Sequence, residues 1–127
     1  MDSLEFRFAF YARDFALSVA FYQEPLGMEL VDGWDPPDGK GALLSAGGTA
    51  VIEIYGAAEG QTYDGPSPVT INPAIQFENA EAVDNFHKRL TGKGVERCEA
   101  PQDRPWGHCF FVVYNLDDIP IHSYCEL

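Results

Sequence analysis

Four side chains able to do chemistry fall at matching positions of two halves that repeat one pattern of elements: Arg7 answers Asn72, and Glu53 answers His122. Each falls in a run rich in β-branched and aromatic residues, which reads as a strand whose side chains alternate between two faces. In residues 4–11, Phe6, Phe8 and Phe10 share one face, while Glu5, Arg7, Ala9 and Tyr11 share the other. Residues 49–55 group Val51, Glu53 and Tyr55; the closing run 119–125 groups Pro120, His122 and Tyr124; Asn72 lies in the run 70–77. Carboxylate and imidazole ligate divalent ions and also serve as general bases. A guanidinium does neither, because it is permanently protonated and only donates. The asparagine carbonyl is neutral and suits calcium or magnesium better than zinc, nickel or iron. A lone histidine on a strand face is more often a satisfied packing residue than a ligand. Trp34, Tyr55, Trp106, Tyr11 and Tyr124 could line a pocket wall, where rings supply area and a polar tip, and of these Trp34, Tyr55 and Trp106 are expected to do so. No residue is singled out as catalytic.

The elements that must hold these residues repeat. A strand at 4–11 is followed by Asp14, a good N-cap, and by Phe15, Val19 and Tyr22 at helical spacing until Pro25 and Gly27. Strands are expected at 28–32, 42–46 and 49–55, with Trp34 in the loop 33–41 and a Gly47-Gly48 turn between the last two. Residues 56–68, rich in Gly, Pro, Ser and acidic side chains, read as a linker. The order then begins again: a strand at 70–77, a helix capped by Asn79 with Val83, Phe86 and Leu90 on one stripe, a strand at 95–99, a loop at 100–105 and a closing hairpin. That hairpin turns at Asn115-Leu116-Asp117-Asp118, which lacks glycine, so Asn115 or Asp118 must supply any left-handed position. Module one spans about 4–55 and module two about 69–127 of a single domain.

Composition narrows the partners. A length of 127 residues with 46% hydrophobic side chains suits one folded domain. A formal net charge of −12 argues against nucleic acid, whose phosphates need clustered Lys and Arg, and would favour a cationic ligand, although solubility explains it as well. Cys98, Cys109 and Cys125 are odd in number and lack a C-x-x-C spacing, so neither a disulfide framework nor a thiolate zinc site is expected. No apolar run has the length of a membrane span, and the Met-Asp-Ser-Leu-Glu start has no signal-peptide core; the expectation is a cytoplasmic protein without membrane contact.

Pro105-Trp106-Gly107, the apolar run Phe110 to Val113 and the Ile121-His122 strand resemble the C-terminal signature of the glyoxalase/bleomycin-resistance/dioxygenase (vicinal oxygen chelate) superfamily. The resemblance implies an α+β fold of two βαβββ modules whose curled sheets enclose a cavity, with helices on the convex side, and a homodimer that often exchanges halves. It also implies that Arg7, Glu53, Asn72 and His122 occupy the four positions at which metal-dependent members carry ligands, with Arg7 beside Glu53. Arg7 then replaces the metal electrostatically.

Two functions of different classes follow. The first is a metal-free, cofactor-free small-molecule-binding protein, similar to the bleomycin-resistance branch and sequestering a bulky or cationic antibiotic. The alternative is a lyase, isomerase or dioxygenase of the same superfamily holding one divalent metal ion on Glu53 and His122. Metal-free acid/base chemistry on either residue is a third reading.

Overall fold

The structure, a computed structural model, describes residues 6–35, 39–58, 62 and 72–127. The chain divides into two compact units, Met1–Pro66 and Ser67–Leu127. The expected linker lies mostly outside the described residues, as do the first two positions of the strand expected at 4–11.

In the first unit, β1 (Phe6–Tyr11), α1 (Phe15–Gln23), β2 (Glu29–Trp34), β3 (Lys40–Ser45) and β4 (Ala50–Gly56) form a sheet of order β1-β4-β3-β2 with a helix packed on it. β1 and β4 run parallel, while β4, β3 and β2 form an antiparallel meander. In the second unit, β5 (Ala74–Gln76), α2 (Ala80–Gly92), β6 (Gln102–Arg104), β7 (His108–Tyr114) and β8 (Pro120–Glu126) repeat the plan in the order β5-β8-β7-β6. This is the α+β, twice-βαβββ architecture expected from the sequence, with both sheets open rather than closed on themselves.

Local chemistry sets the helix limits. The Asp14 carboxylate accepts from the Leu17 N–H at 3.0 Å, and Asn79 accepts from Ala82 N–H at 2.9 Å, each satisfying an orphan donor of the first turn. Gly27 (φ 73°) and Gly94 (φ 82°) take the left-handed conformation that lets the chain leave each helix. α1 buries Ser18, Phe21 and Tyr22, whereas Phe15 and Val19 are only half-buried. Phe10, Leu44 and Ile54 complete that core; Val83, Leu90, Phe111 and Val113 form the other.

The internal repeat is visible at atomic level. Ala9 pairs with Glu53 and Ala74 with His122; Ala12 N–H donates to Tyr55 C=O at 2.9 Å, and Phe77 N–H donates to Tyr124 C=O at 2.7 Å. The first partners and the caps lie 65 positions apart (9 to 74, 12 to 77, 14 to 79), and the β4/β8 partners 69 apart (53 to 122, 55 to 124).

Two expectations change. Trp34 ends β2 instead of lying in a loop, because it pairs with Gly41, whose missing side chain leaves room for the indole. The strand expected at 95–99 shrinks to one bridge, Cys98 to Val113, and β6 forms at 102–104 instead. The reason is the turn Pro105-Trp106-Gly107: Gly107 adopts φ 89° and its N–H donates to Arg104 C=O at 3.0 Å, folding 102–104 back onto β7. At the other hairpin, Asp118 takes the left-handed position (φ 63°), and the buried Asn115 side chain accepts from the N–H groups of Asp117 and Ile119, each at 2.9 Å.

Candidate functional site

Cross-strand pairing places residues directly opposite one another on the same face of a sheet. In the first unit one such row runs Asp32, Leu43, Glu53, Ala9 and the next runs Trp34, Gly41, Tyr55, Tyr11. This is the face away from Phe10, Leu44 and Ile54, so it is the face that α1 leaves uncovered. Glu53 is held here by β4 and is nearly buried, with its side chain 11% exposed. Its Oε1 accepts from Arg7 Nη1 at 3.2 Å, while the Arg7 side chain, from β1, is 41% exposed. The contact is a charge-assisted pair with one end dry and one end wet.

Tyr55 extends the group. A hydrogen bond with Glu53 is the main cause that raises its phenol above the usual 10.0; burial and the Glu53 charge act in the same direction, and Arg7 opposes them. Tyr55 therefore stays a neutral hydroxyl throughout the physiological range. Its ring lies 4.8 Å from that of Tyr11, which is 48% exposed. On the other flank the indole of Trp34 covers Gly41 so closely that a Cβ there would stand 2.1 Å from a ring carbon. Trp34, Tyr55 and Tyr11 thus form an aromatic band beside the Arg7–Glu53 pair. Tyr11 is the member that the sequence did not single out, although its position four residues after Arg7 on one strand face carried the signal.

The equivalent face of the second unit is built differently. His122, on β8, is half-buried, and its ring meets Phe110 edge-on at 5.0 Å. Burial lowers its basicity below the ordinary 6.5, while the Glu99 carboxylate pulls the other way. Glu99 reaches this row because its N–H donates to Val112 C=O at 2.9 Å, and Val112 pairs with His122. No sequence periodicity marks Glu99, since its placement depends on a single isolated bridge. Asn72 precedes β5 and is exposed, two positions before Ala74, as Arg7 stands two before Ala9. Trp106 stands in the β6–β7 turn, 58% exposed, with its ring 5.8 Å from Phe110. The structure thus brings together Arg7, Glu53, Tyr55 and Trp34 on one face of the first unit, and His122 and Trp106 around Phe110 in the second.

Whether such residues suit a divalent ion is decided by their donors. Glu53 spends an oxygen on a permanently protonated guanidinium, which offers no lone pair and places positive charge at the carboxylate. Among the described residues no group of three or more His, Cys, Asp and Glu side chains could hold a metal ion.

A sequence model of the Glyoxalase/Bleomycin resistance protein/Dioxygenase superfamily matches residues 6–122, and the chain belongs to that superfamily. No curated protein matches. Among solved structures, a glyoxylase/bleomycin resistance protein/dioxygenase domain from Frankia sp. EAN1pec superposes with a TM-score of 0.78 at 16% identity, covering 95% of each chain. TnmS3, an antibiotic binding protein from Streptomyces sp. CB03234, gives 0.74 at 17% identity over 98% of this chain and 97% of its own. A mutant of the fosfomycin resistance protein FosX from Listeria monocytogenes, complexed with Mn(II) and 1S,2S-dihydroxypropylphosphonic acid, gives 0.72 at 17% identity over 100% of this chain and 92% of its own. These likenesses establish the fold. They also show that structures sharing it include an antibiotic-binding protein and a resistance protein with bound manganese. No helix among the described residues is long and apolar enough to cross a membrane.

Proposed function

We propose that this chain is a metal-free small-molecule-binding protein of its superfamily, working in the cytoplasm as a homodimer and sequestering a bulky or cationic antibiotic. The observation that carries the reading is the Arg7–Glu53 pair: a guanidinium holds the carboxylate that a chelating relative would give to an ion. The aromatic band of Trp34, Tyr55 and Tyr11 beside it offers stacking area to a large ligand. In the second unit, taken by itself, Asn72, His122 and Trp106 are the residues proposed to touch a ligand. The net charge of −12 favours a cation, through long-range attraction that salt weakens. TnmS3, an antibiotic binding protein of the same fold, lends support by analogy.

The test is titration with a cationic glycopeptide antibiotic followed by tryptophan fluorescence, alongside elemental analysis and melting curves with nickel, zinc, manganese and EDTA. Saturable quenching that weakens with salt is expected, with melting temperatures indifferent to metal and chelator. Stoichiometric metal in the purified protein, abolished by Glu53→Ala and His122→Ala, would replace this reading with a metal-dependent lyase, isomerase or dioxygenase. One observation favours that second reading: burial keeps His122 in the neutral form that can ligate.

A further inference from the structure

The sequence holds 20 Asp and Glu against eight Lys and Arg, so a half-buried arginine with no carboxylate is out of place here. Arg7 pairs with Glu53 and Arg97 with Asp118. Arg104 has no such partner among the described residues, and its Nε is covered by protein while meeting no acceptor. What surrounds it is aromatic: its guanidinium carbon lies 5.8 Å from the Trp106 ring centroid and 5.7 Å from that of Phe110.

The hairpin explains the arrangement. Arg104 ends β6 directly opposite His108, the first residue of β7, so both belong to one face. Phe110 stands two positions further along that face, and the ring of His108 stacks on Tyr124 at 4.5 Å. Asp103, the adjacent acid, pairs with the buried Cys109 and so points to the other face. Glu126 faces His108 from the far side, across β7 from Arg104. Rings hold the guanidinium plane in place; with Nε covered, the outer Nη groups are the ones a bound anion would meet.

We infer that this corner of the second unit binds the carboxylate of a flat aromatic acid. The carboxylate serves as acceptor for the Arg104 guanidinium, whose fork suits it in a bidentate pair. The ring of the ligand lies on the exposed indole of Trp106. This site is confined to the β6–β7 hairpin and its neighbours. It depends on neither the absence of metal nor the cationic antibiotic proposed above, and shares only Trp106 with that reading.

The experiment uses the full-length Trp34→Phe variant, in which Trp106 is the remaining tryptophan. Its emission is followed on adding benzoate, or benzamide as the uncharged control of the same shape. Benzoate should quench saturably with a dissociation constant on the order of millimolar, and benzamide should not. Adding Arg104→Gln should weaken benzoate binding roughly ten- to hundredfold, the loss expected for a charge-assisted contact. Arg104→Lys, which keeps the charge and loses the fork, should fall between, and it decides the matter if the glutamine variant fails to fold by circular dichroism. Lys88→Gln, at an exposed position of α2, should leave benzoate affinity unchanged. Equal response to benzamide, no saturation by about 10 mM, or folded Arg104 variants with unaltered affinity would overturn the inference. A failed glycopeptide titration would bear only on the proposed function.

Discussion

The Arg7–Glu53 pair should reveal its asymmetry when each end is removed in turn. The closest N–O distance is 3.2 Å, with side-chain exposures of 41% for Arg7 and 11% for Glu53. At that distance Coulomb's law gives a gross attraction of about 1.3 kcal/mol in a water-like medium and about 5 kcal/mol at an effective dielectric constant of ~20. Desolvating the carboxylate takes back most of the larger figure, and the wet guanidinium is screened, so the net coupling should be about 1 kcal/mol. Arg7→Leu leaves a nearly buried carboxylate with its charge-assisted donor gone, which costs roughly 1–3 kcal/mol. Glu53→Leu leaves an arginine that can turn to water and should cost less than about 1 kcal/mol. The double variant should then be more stable than Arg7→Leu alone. Urea denaturation of the four proteins, compared at common m-value, measures all of these terms. If Glu53→Leu proved as costly as Arg7→Leu, or if the two losses simply added, the description of a dry carboxylate neutralised by Arg7 would be wrong.

Two further outcomes rest on single residues. Because burial holds the folded-state His122 below 6.5, the unfolded chain takes up a proton first on acidification. The contribution of this residue is therefore complete above about pH 6.5 and is lost as pH falls below that value. Denaturation curves from about pH 7.5 to about pH 5 should show a steeper decline for the parent than for His122→Phe, and parallel profiles would remove the claim of burial. Gly41→Ala would drive a Cβ to within 2.1 Å of the Trp34 ring. Displacing the indole should cost about 1–3 kcal/mol and red-shift tryptophan emission, whereas an unchanged melting point and spectrum would refute the packing.

The parts of this architecture governed by local rules could be read in advance. Asp14 and Asn79 cap helices in either unit because capping depends on a side chain and an N–H three residues away. The placement of Glu53 and His122 on helix-free faces followed from alternation along a strand. What escaped was decided by pairing between distant segments. The end of β2 at Trp34 depends on Gly41 being its neighbour, and β6 exists because a three-residue turn aligns it with β7. Arg104 owes its position to that alignment and Glu99 to the isolated Cys98–Val113 bridge, so nothing in their immediate sequence distinguished them from solvent-exposed charge.

One feature of the two helices bears on how the halves came to differ in length. α1 has nine residues and α2 thirteen, a difference of four that equals the shift of the repeat offset from 65 to 69. Four residues nearly complete a revolution of an α-helix, about 3.6 per turn. Growth by that increment returns the chain to almost the same azimuth, displaced along the axis by about 6 Å, so the strands downstream keep their inward and outward assignments. Duplicated halves can thus drift apart in size where a screw axis absorbs the excess, while the paired strands, which tolerate no odd slip, preserve the ancestral frame.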